Sequence, residues 1–374
     1  MTTSSVREKE EDTLVASRDL SRFRIAEHLL VPSESARTVR ASGQRIAIVG
    51  AGPAGLCAAH ILAQLGYAVT MFEALPVLGG MVAVGIPAFR RPAGLLEQMR
   101  ALVDRPGIEV RLHTSIGRDL PFQQLQEEFD AILLAVGLQQ SVPLGIPGET
   151  MLDGVIPALQ FLRQYHLEQV QVRGDVAIIG GGIATIDVAR LAQRAGAHSV
   201  RVFVPADLRD LPARAAEIEA AKQEGVMFHP AEMPRSIIGT EDVNVHGVRC
   251  QRTLLEPAGP ERSQGFTSIL GTDRWYTVDV VFVAVGERAD LAFLPGVDNQ
   301  VIFGGGWDGG REPSCLTNLP TVFMAGDVAG GPRTLLHAFT DGNLAAHTIH
   351  RQLGKLASAS PNVSRQAIAP QAVH

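Results

Sequence analysis

The chain has 374 residues, 46% of them hydrophobic, and a formal net charge of -6. That length suits two domains or one large one, with apolar material enough for a sizeable core. Charges of both signs are spread along the chain and only 5% of residues are aromatic, which excludes the clustered basic face and the stacking platforms of a nucleic-acid binder. The 3 cysteines, Cys57, Cys250 and Cys315, lie far apart. A disulfide framework, a redox dithiol, zinc and a cysteine-ligated iron–sulfur cluster therefore all lack ligands, and no metal site is expected. Cys57 falls in an apolar helix and reads as a packing residue. The odd count suits a reducing compartment, which points to the cytoplasm.

Residues 1–42 read as a polar leader. Arg7-Glu8-Lys9-Glu10-Glu11-Asp12 shows no apolar signal core, and one helical piece is expected around Arg22 to Leu30. No stretch is long and apolar enough to span a bilayer, so no membrane association is expected. The first strong signal is the apolar run Gln44-Arg45-Ile46-Ala47-Ile48-Val49, which predicts a buried parallel strand. Gly50-Ala51-Gly52-Pro53-Ala54-Gly55 follows directly in a G-x-G-x-x-G pattern. A helix is predicted from Ala54 to Leu65, stopped by Gly66. A second strand, Ala68 to Phe72, ends at Glu73. Gly50 permits the tight turn, Gly52 lets backbone approach a pyrophosphate, and Gly55 lets helix pack on strand. The helix start around Pro53 and Ala54 offers unpaired N–H groups and a positive dipole end to phosphates. Glu73 is placed to accept hydrogen bonds from ribose hydroxyls. Together these parts predict an adenine dinucleotide site.

A second unit of the same kind begins about 130 residues later. Strand Asp175 to Ile179 leads into Gly180-Gly181-Gly182-Ile183-Ala184-Thr185, then a helix from Ile186 to Arg194, Gly196, and strand Ser199 to Val204. Two units imply two dinucleotide-binding domains. Phe129 to Gly137 and Val278 to Gly286 echo each other, each an apolar strand ending in Ala-Val-Gly. Each would close the sheet of its own domain, with Gly137 or Gly286 near the nucleotide. Further on, Thr321-Val322-Phe323-Met324-Ala325-Gly326-Asp327 is another strand meeting a glycine turn. Gly330-Gly331-Pro332-Arg333-Thr334 then opens a helix from Leu335 to Leu353. Asp327 is placed to take a hydroxyl. Residues 354–374 read as a flexible tail.

With these residues in view, the chain resembles the two-dinucleotide-domain flavoproteins of the pyridine nucleotide-disulfide oxidoreductase type. It is most similar to the small subunit of glutamate synthase and the matching segment of dihydropyrimidine dehydrogenase. The resemblance runs from about Gly43 to Leu353. It rests on the first glycine turn with Glu73, on Gly79-Gly80-Met81, and on Gly85-Ile86-Pro87-Ala88-Phe89-Arg90-Arg91-Pro92. The second glycine turn with Asp187 and the Ala-Gly-Asp stretch ending at Asp327 complete it. It implies an α/β fold of two Rossmann-like domains, the nicotinamide domain inserted in the FAD domain. The expected bounds are 43–156 and 295–353 for the FAD domain and 157–294 for the insert. It also implies FAD and either NADH or NADPH as cofactors. Gly50, Gly52, Gly55 and Glu73 match positions at the FAD pyrophosphate and ribose. Gly80 and Arg90 match residues around the flavin, Asp327 the residue at the ribityl chain, and Thr334 the helix start near the pyrimidine edge. Arg90 also reads as a solvated loop arginine.

Three departures from that family stand out. No cysteine precedes Cys57, so the family's iron–sulfur ligands ahead of the FAD domain are not found. The family's second turn, Gly-Gly-Gly-Asn-Thr-Ala, is here Gly180-Gly181-Gly182-Ile183-Ala184-Thr185. The arginines expected after the second strand are replaced by Val204-Pro205-Ala206. Arg201, Arg209 and Arg214 are nearby in sequence, either as substitutes or as surface charges. His337 is a candidate for facing a substrate, against an ordinary structural role; His113, His166 and His198 show no ligand spacing. Trp275 and Trp307 are candidates for lining a pocket, though nothing in the sequence around them specifies one, and Gly304-Gly305-Gly306 reads as a loop. No catalytic residue is named.

The expected function is an FAD-dependent NAD(P)H oxidoreductase. It would pass hydride from nicotinamide to flavin and on to a small molecule, oxygen or a partner protein. The alternatives are a flavin-only oxidase with a vestigial nicotinamide site and a non-catalytic scaffold. A small-molecule substrate or a redox partner protein is expected, and a homodimer is left open.

Overall fold

Short, uniformly apolar segments bounded by glycine are what a parallel sheet buried on both faces requires, and they organise both halves of this protein. The computed structural model describes residues 42–256, 265–294 and 315–359. The helical piece at Arg22 to Leu30, Trp307 with its preceding glycines, the boundary at Pro295 and the tail beyond 359 lie outside the described residues.

The strands in chain order begin with β1 (Arg45–Val49), β2 (Ala68–Phe72), β3 (Ile108–Arg111) and β4 (Ala131–Leu134). There follow β5 (Gln140–Ser141), β6 (Val155–Pro157), β7 (Asp175–Ile179), β8 (Ser199–Phe203) and β9 (Met227–His229). Then come β10 (Glu232–Gly239), β11 (Val245–Glu256), β12 (Gly265–Ser268), β13 (Arg274–Thr277), β14 (Val280–Val283), β15 (Glu287–Arg288) and β16 (Val322–Met324).

One parallel sheet has the order β16-β4-β1-β2-β3 and the other β6-β14-β7-β8-β9. Both place the strand before the glycine turn at the centre and the next two on one side; the other side holds β4 and β16 in the first sheet, and β14 with the earlier strand β6 in the second. This is the doubly wound arrangement, in which the strand order reverses beside the glycine turn and opens a crevice at the carboxyl ends of the strands. The segment that builds the second sheet lies in sequence between β4 and β16 of the first, so one Rossmann-like domain is inserted in the other.

Compact packing divides the chain into two units. Among the described residues, one holds Val77–Gln98 and most of 136–291; the other holds 42–76, Met99–Ala135, 292–294 and 315–359. In the unit with β1, the helix Pro53–Gln64 buries Leu56, Cys57, Ala58 and Leu62. Gly66, at φ 87°, ends it and turns the chain into β2. The helix Leu335–Ala359 crosses so near that a Cβ on Gly342 would run into the carbonyl of Ala54. In the other unit, Val176, Ile178, Val200 and Val202 pack with Ile186, Ala189 and Phe282 on one side of the sheet. Ala177, Ile179, Phe203 and Val281 pack on the other with Val248, Cys250 and Met233. These last three come from an antiparallel arm in which β11 pairs with β10, β12 and β13. This arm covers the second face of the sheet in place of helices.

Candidate nucleotide-binding sites

The two glycine turns are built by the same backbone hydrogen bonds. Gly50 N donates to Phe72 O at 2.8 Å, and Gly180 N to Phe203 O at 3.2 Å. Ala135 N donates to Val49 O at 2.8 Å, and Ala284 N to Ile179 O at 2.8 Å. Each turn is thus tied to its second strand and to its own Ala-Val-Gly segment. Gly50 has φ 103° and Gly180 φ 150°, backbone that a side chain disfavours. A Cβ on Gly55 would run into Gly50 O, and one on Gly180 into Ala284 O. Gly52 and Gly182 are the N-caps of the helices Pro53–Gln64 and Ile183–Arg194, both in extended backbone. Neither helix has an acid in its first turn, so the positive end of each dipole is left for an anion. A Cβ on Gly182 would meet nothing within 4 Å; there is room above this turn for a phosphate.

At the first turn, Glu73 is buried and its carboxylate accepts from Ala51 N at 2.8 Å and Leu75 N at 2.9 Å. These bonds hold the acid against the glycine turn. β16 brings the last stretch to the same place: Ala325 N donates to Leu134 O at 3.0 Å. At Gly326, with φ 80°, the space a Cβ would take lies 3.1 Å from Ala54 Cβ. Asp327 accepts from Arg333 N at 3.3 Å, and burial pushes its carboxyl above the usual range. Arg333 in turn pairs with buried Asp341. Thr334 caps the long helix, its carbonyl accepting from Ala338 N at 3.2 Å. Its hydroxyl lies 2.7 Å from His337 Nδ1, and both side chains are exposed. A glycine turn, a fixed acid, two helix starts and a second acid within one unit suit a nucleotide pyrophosphate with hydroxyl-bearing chains, as FAD has.

The segment Gly79 to Pro92 packs in the other unit. Gly80 heads the short helix Met81–Val84. Arg91 Nη1 donates to Val82 O at 3.0 Å. Arg90 is not solvated: its Nε lies 3.3 Å from Asp187 and its Nη1 3.4 Å from Glu217. Burial pushes the Asp187 carboxyl up to about 7, against the pull of Arg90. The guanidiniums of Arg190 and Arg194 lie 3.9 and 4.1 Å from the Phe89 ring centre. Both also bind Glu224, whose carboxyl the Arg190 bond holds down at about 2. Asp187 therefore lies inside a charged cluster on the flank of its helix. Gly137 and Gly286 have φ 65° and 141°, and Val142 N donates to Gly286 O at 2.9 Å.

Sequence reasoning missed three features here. The pair Arg333–Asp341 stands behind Asp327. Buried Glu232, at the arm, takes the Tyr276 hydroxyl at 2.9 Å beside His229 and Arg274. Asp207, which the sequence reading did not single out, pairs with Arg209, which it did, in a turn after β8. Only the last had a visible signal, an Asp-x-x-Asp turn around an arginine. Among the described residues no group of three or more His, Cys, Asp or Glu side chains could hold a metal ion, and no helix is long and apolar enough to cross a membrane.

Residues 44–342 match the pyridine nucleotide-disulphide oxidoreductase family. The β subunit of the NADP(+)-dependent formate dehydrogenase of Moorella thermoacetica is 39% identical over 87% of this chain and 46% of its own. The β subunit of the NADPH-Fe(3+) oxidoreductase of Geobacter sulfurreducens is 34% identical over 83% of this chain and 50% of its own. The NADPH glutamate synthase small chain of Escherichia coli is 30% identical over 83% of this chain and 69% of its own. The chain spans about half the length of the first two of these relatives. Among solved structures, FprA of Mycobacterium tuberculosis in complex with NADPH matches with a TM-score of 0.70 at 20% identity, over 86% of this chain and 87% of that one. The chain belongs to the pyridine nucleotide-disulphide oxidoreductase family, in its glutamate synthase small-chain-like group of FAD/NAD(P) flavoproteins.

Proposed function

We propose that this protein is the NAD(P)H-oxidising flavoprotein component of an electron-transfer system, with a protein as its redox partner. The observation that carries the reading is the repeated glycine turn, with matching hydrogen bonds and matching helix starts in two sheets. Bound FAD would supply the acceptance of hydride from a reduced nicotinamide nucleotide and its onward passage as electrons. The residues of the chain bind and orient. The helix start at Pro53 and Ala54, with Gly50, Gly52 and Gly55, would hold the FAD pyrophosphate. Glu73 would hold the adenosine ribose, and Asp327 and Thr334 the ribityl and ring end. Gly180 and Gly182 would hold the nicotinamide nucleotide. A protein partner is favoured because two of the relatives are β subunits of larger enzymes. A cytoplasmic place is favoured because Cys57, Cys250 and Cys315 are all free and buried.

The test is a visible spectrum of the purified protein, chromatography of the heat-released cofactor, and anaerobic titration with NADPH and with NADH. FAD released and bleached by at least one nucleotide supports the proposal; FMN, or no flavin in folded protein, refutes it. A second reading, a flavin-only oxidase, is favoured by Ile183. This residue puts an apolar side chain 40% exposed at the first position of the second helix, where a polar group would serve a nucleotide better. Bound FAD that neither nucleotide bleaches, but that a small substrate does, would select it.

A further inference from the structure

We infer that Asp207 and Arg209 form the element that reads the 2′ position of the adenosine ribose, and that it accepts either nicotinamide nucleotide. This rests on the nucleotide site proposed above at the second glycine turn. In a strand–turn–helix–strand unit the residues following the second strand face that ribose: an acid takes the 2′-hydroxyl, an arginine the 2′-phosphate.

Here the first three residues after β8 carry no polar side chain, and their carbonyls are all taken. Val204 is fully buried; its amide donates to His229 O at 3.2 Å and its carbonyl accepts from Glu232 N at 3.0 Å. Pro205 O accepts from Thr253 Oγ1 at 2.7 Å. Ala206 is buried, with its carbonyl taken by Ala231 N at 3.0 Å. The antiparallel arm thus seals the place where a reading side chain would ordinarily stand. The chain surfaces at Asp207, in the 3-10 turn Leu208–Asp210. Leu211 then packs onto the second glycine turn, its Cδ2 lying 2.9 Å from where a Gly181 Cβ would be. That contact holds the turn beside the glycines.

Asp207 caps its own turn, Oδ1 accepting from Arg209 N at 3.0 Å. The same carboxylate takes the Arg209 side chain through both oxygens, Nε at 3.0 Å and Nη2 at 3.3 Å. Three other arginines nearby are engaged elsewhere, while Arg214 stands at the N-cap of the helix Ala215–Gln223. Arg201 points back toward Asp175 at the amino end of the sheet, 3.9 Å away. Arg190 and Arg194 are held by Glu224. The Asp207–Arg209 pair is solvent-exposed, so it opens at little cost. A ribose hydroxyl can donate to Asp207 with the arginine in place. A 2′-phosphate instead draws Arg209 off Asp207, against the repulsion of Asp207 and Asp210. Neither nucleotide is strongly preferred.

The experiment is titration calorimetry on the flavin-loaded protein with two probes that carry no nicotinamide, ADP-ribose and 2′-phospho-ADP-ribose, at low and high salt. The wild type is expected to bind the two within about tenfold of each other. Arg209→Gln should weaken the phosphorylated probe by roughly tenfold or more and leave ADP-ribose unchanged. Asp207→Asn keeps a capping side chain but frees Arg209, so it should tighten the phosphorylated probe, weaken ADP-ribose and steepen the salt dependence. Equal changes for both probes, or no change, would overturn the pair as the reader while leaving the proposed function standing. Failure of the wild type to bind either probe would overturn both.

Discussion

At Gly55 an added Cβ would meet backbone rather than a movable side chain, the carbonyl oxygen of Gly50, with Ile48 Cγ2 at 3.3 Å behind it. Overpacking of this kind costs about 1–3 kcal/mol, and relief can come only by opening the turn. Gly55→Ala should therefore be purified largely without flavin and unfold at lower temperature; absorbance at 450 nm against 280 nm and a melting curve check it. Retention of full flavin would show that the turn is softer than its packing suggests. At Asp187 the argument is electrostatic. Its carboxyl rises in the folded protein from 3.8 to about 7, because burial outweighs the attraction of Arg90. A raised acid pKa favours the folded state below the unfolded value, and that stabilisation fades as pH climbs through the folded value. Wild-type stability should thus fall relative to that of Asp187→Asn between about pH 4 and pH 7, by on the order of a few kcal/mol. Above pH 8 the two curves should run parallel. Urea unfolding across that range measures it, and a constant difference would mean that Arg90 compensates the charge fully.

At the scale of elements, the segment Gly85 to Pro92 is pinned by its side chains rather than by secondary structure. Two guanidiniums lie over the Phe89 ring, and Arg90 joins Asp187 to Glu217. Phe89→Ala removes a packed ring and two cation–π contacts, each worth about 0.5–2 kcal/mol. A loss of about 2–4 kcal/mol is expected by denaturant unfolding; Phe89→Leu, which keeps the bulk, should lose less. A Phe89→Leu loss equal to that of alanine would assign the effect to the cations. This segment also marks where the sequence stops being legible. β1, β2 and β7 could be read because their apolar runs are short, unbroken and bounded by glycine. Glu73 and the six turn glycines could be read because backbone geometry demands those residue types at those spacings. The second helix begins at Ile183, three residues before its expected start, because Gly182 itself is the cap. The antiparallel arm was not legible. β10 contains Pro234 and a register shift beside it, which breaks the alternation that marks a strand. Arg90–Asp187 and Arg333–Asp341 were invisible for another reason. An ion pair across elements has no local pattern, only a tertiary one.

For the whole molecule, the two units carry separate cores. Val176, Val202, Ile186 and Phe282 belong to one, and Ile46, Leu56, Met71 and Leu133 are fully buried in the other. Separate cores need not melt together, so a single two-state transition is not the expectation for this chain. A ligand bound by one unit stabilises that unit by about 2.7 kcal/mol at a hundredfold excess over its dissociation constant. For a unit of this size that amounts to roughly 5–10 °C. Scanning calorimetry of the flavin-loaded protein should therefore resolve two transitions. 2′-Phospho-ADP-ribose should raise only one of them, assigned to the unit with Gly180 and Gly182. Added FAD, in protein stripped of its flavin, should raise the other, assigned to the unit with Gly50 and Glu73. Limited proteolysis between the two temperatures identifies which unit has melted, by the fragments that survive. A single transition that moves equally with either ligand would show instead that the units unfold as one, and that each nucleotide stabilises the whole chain.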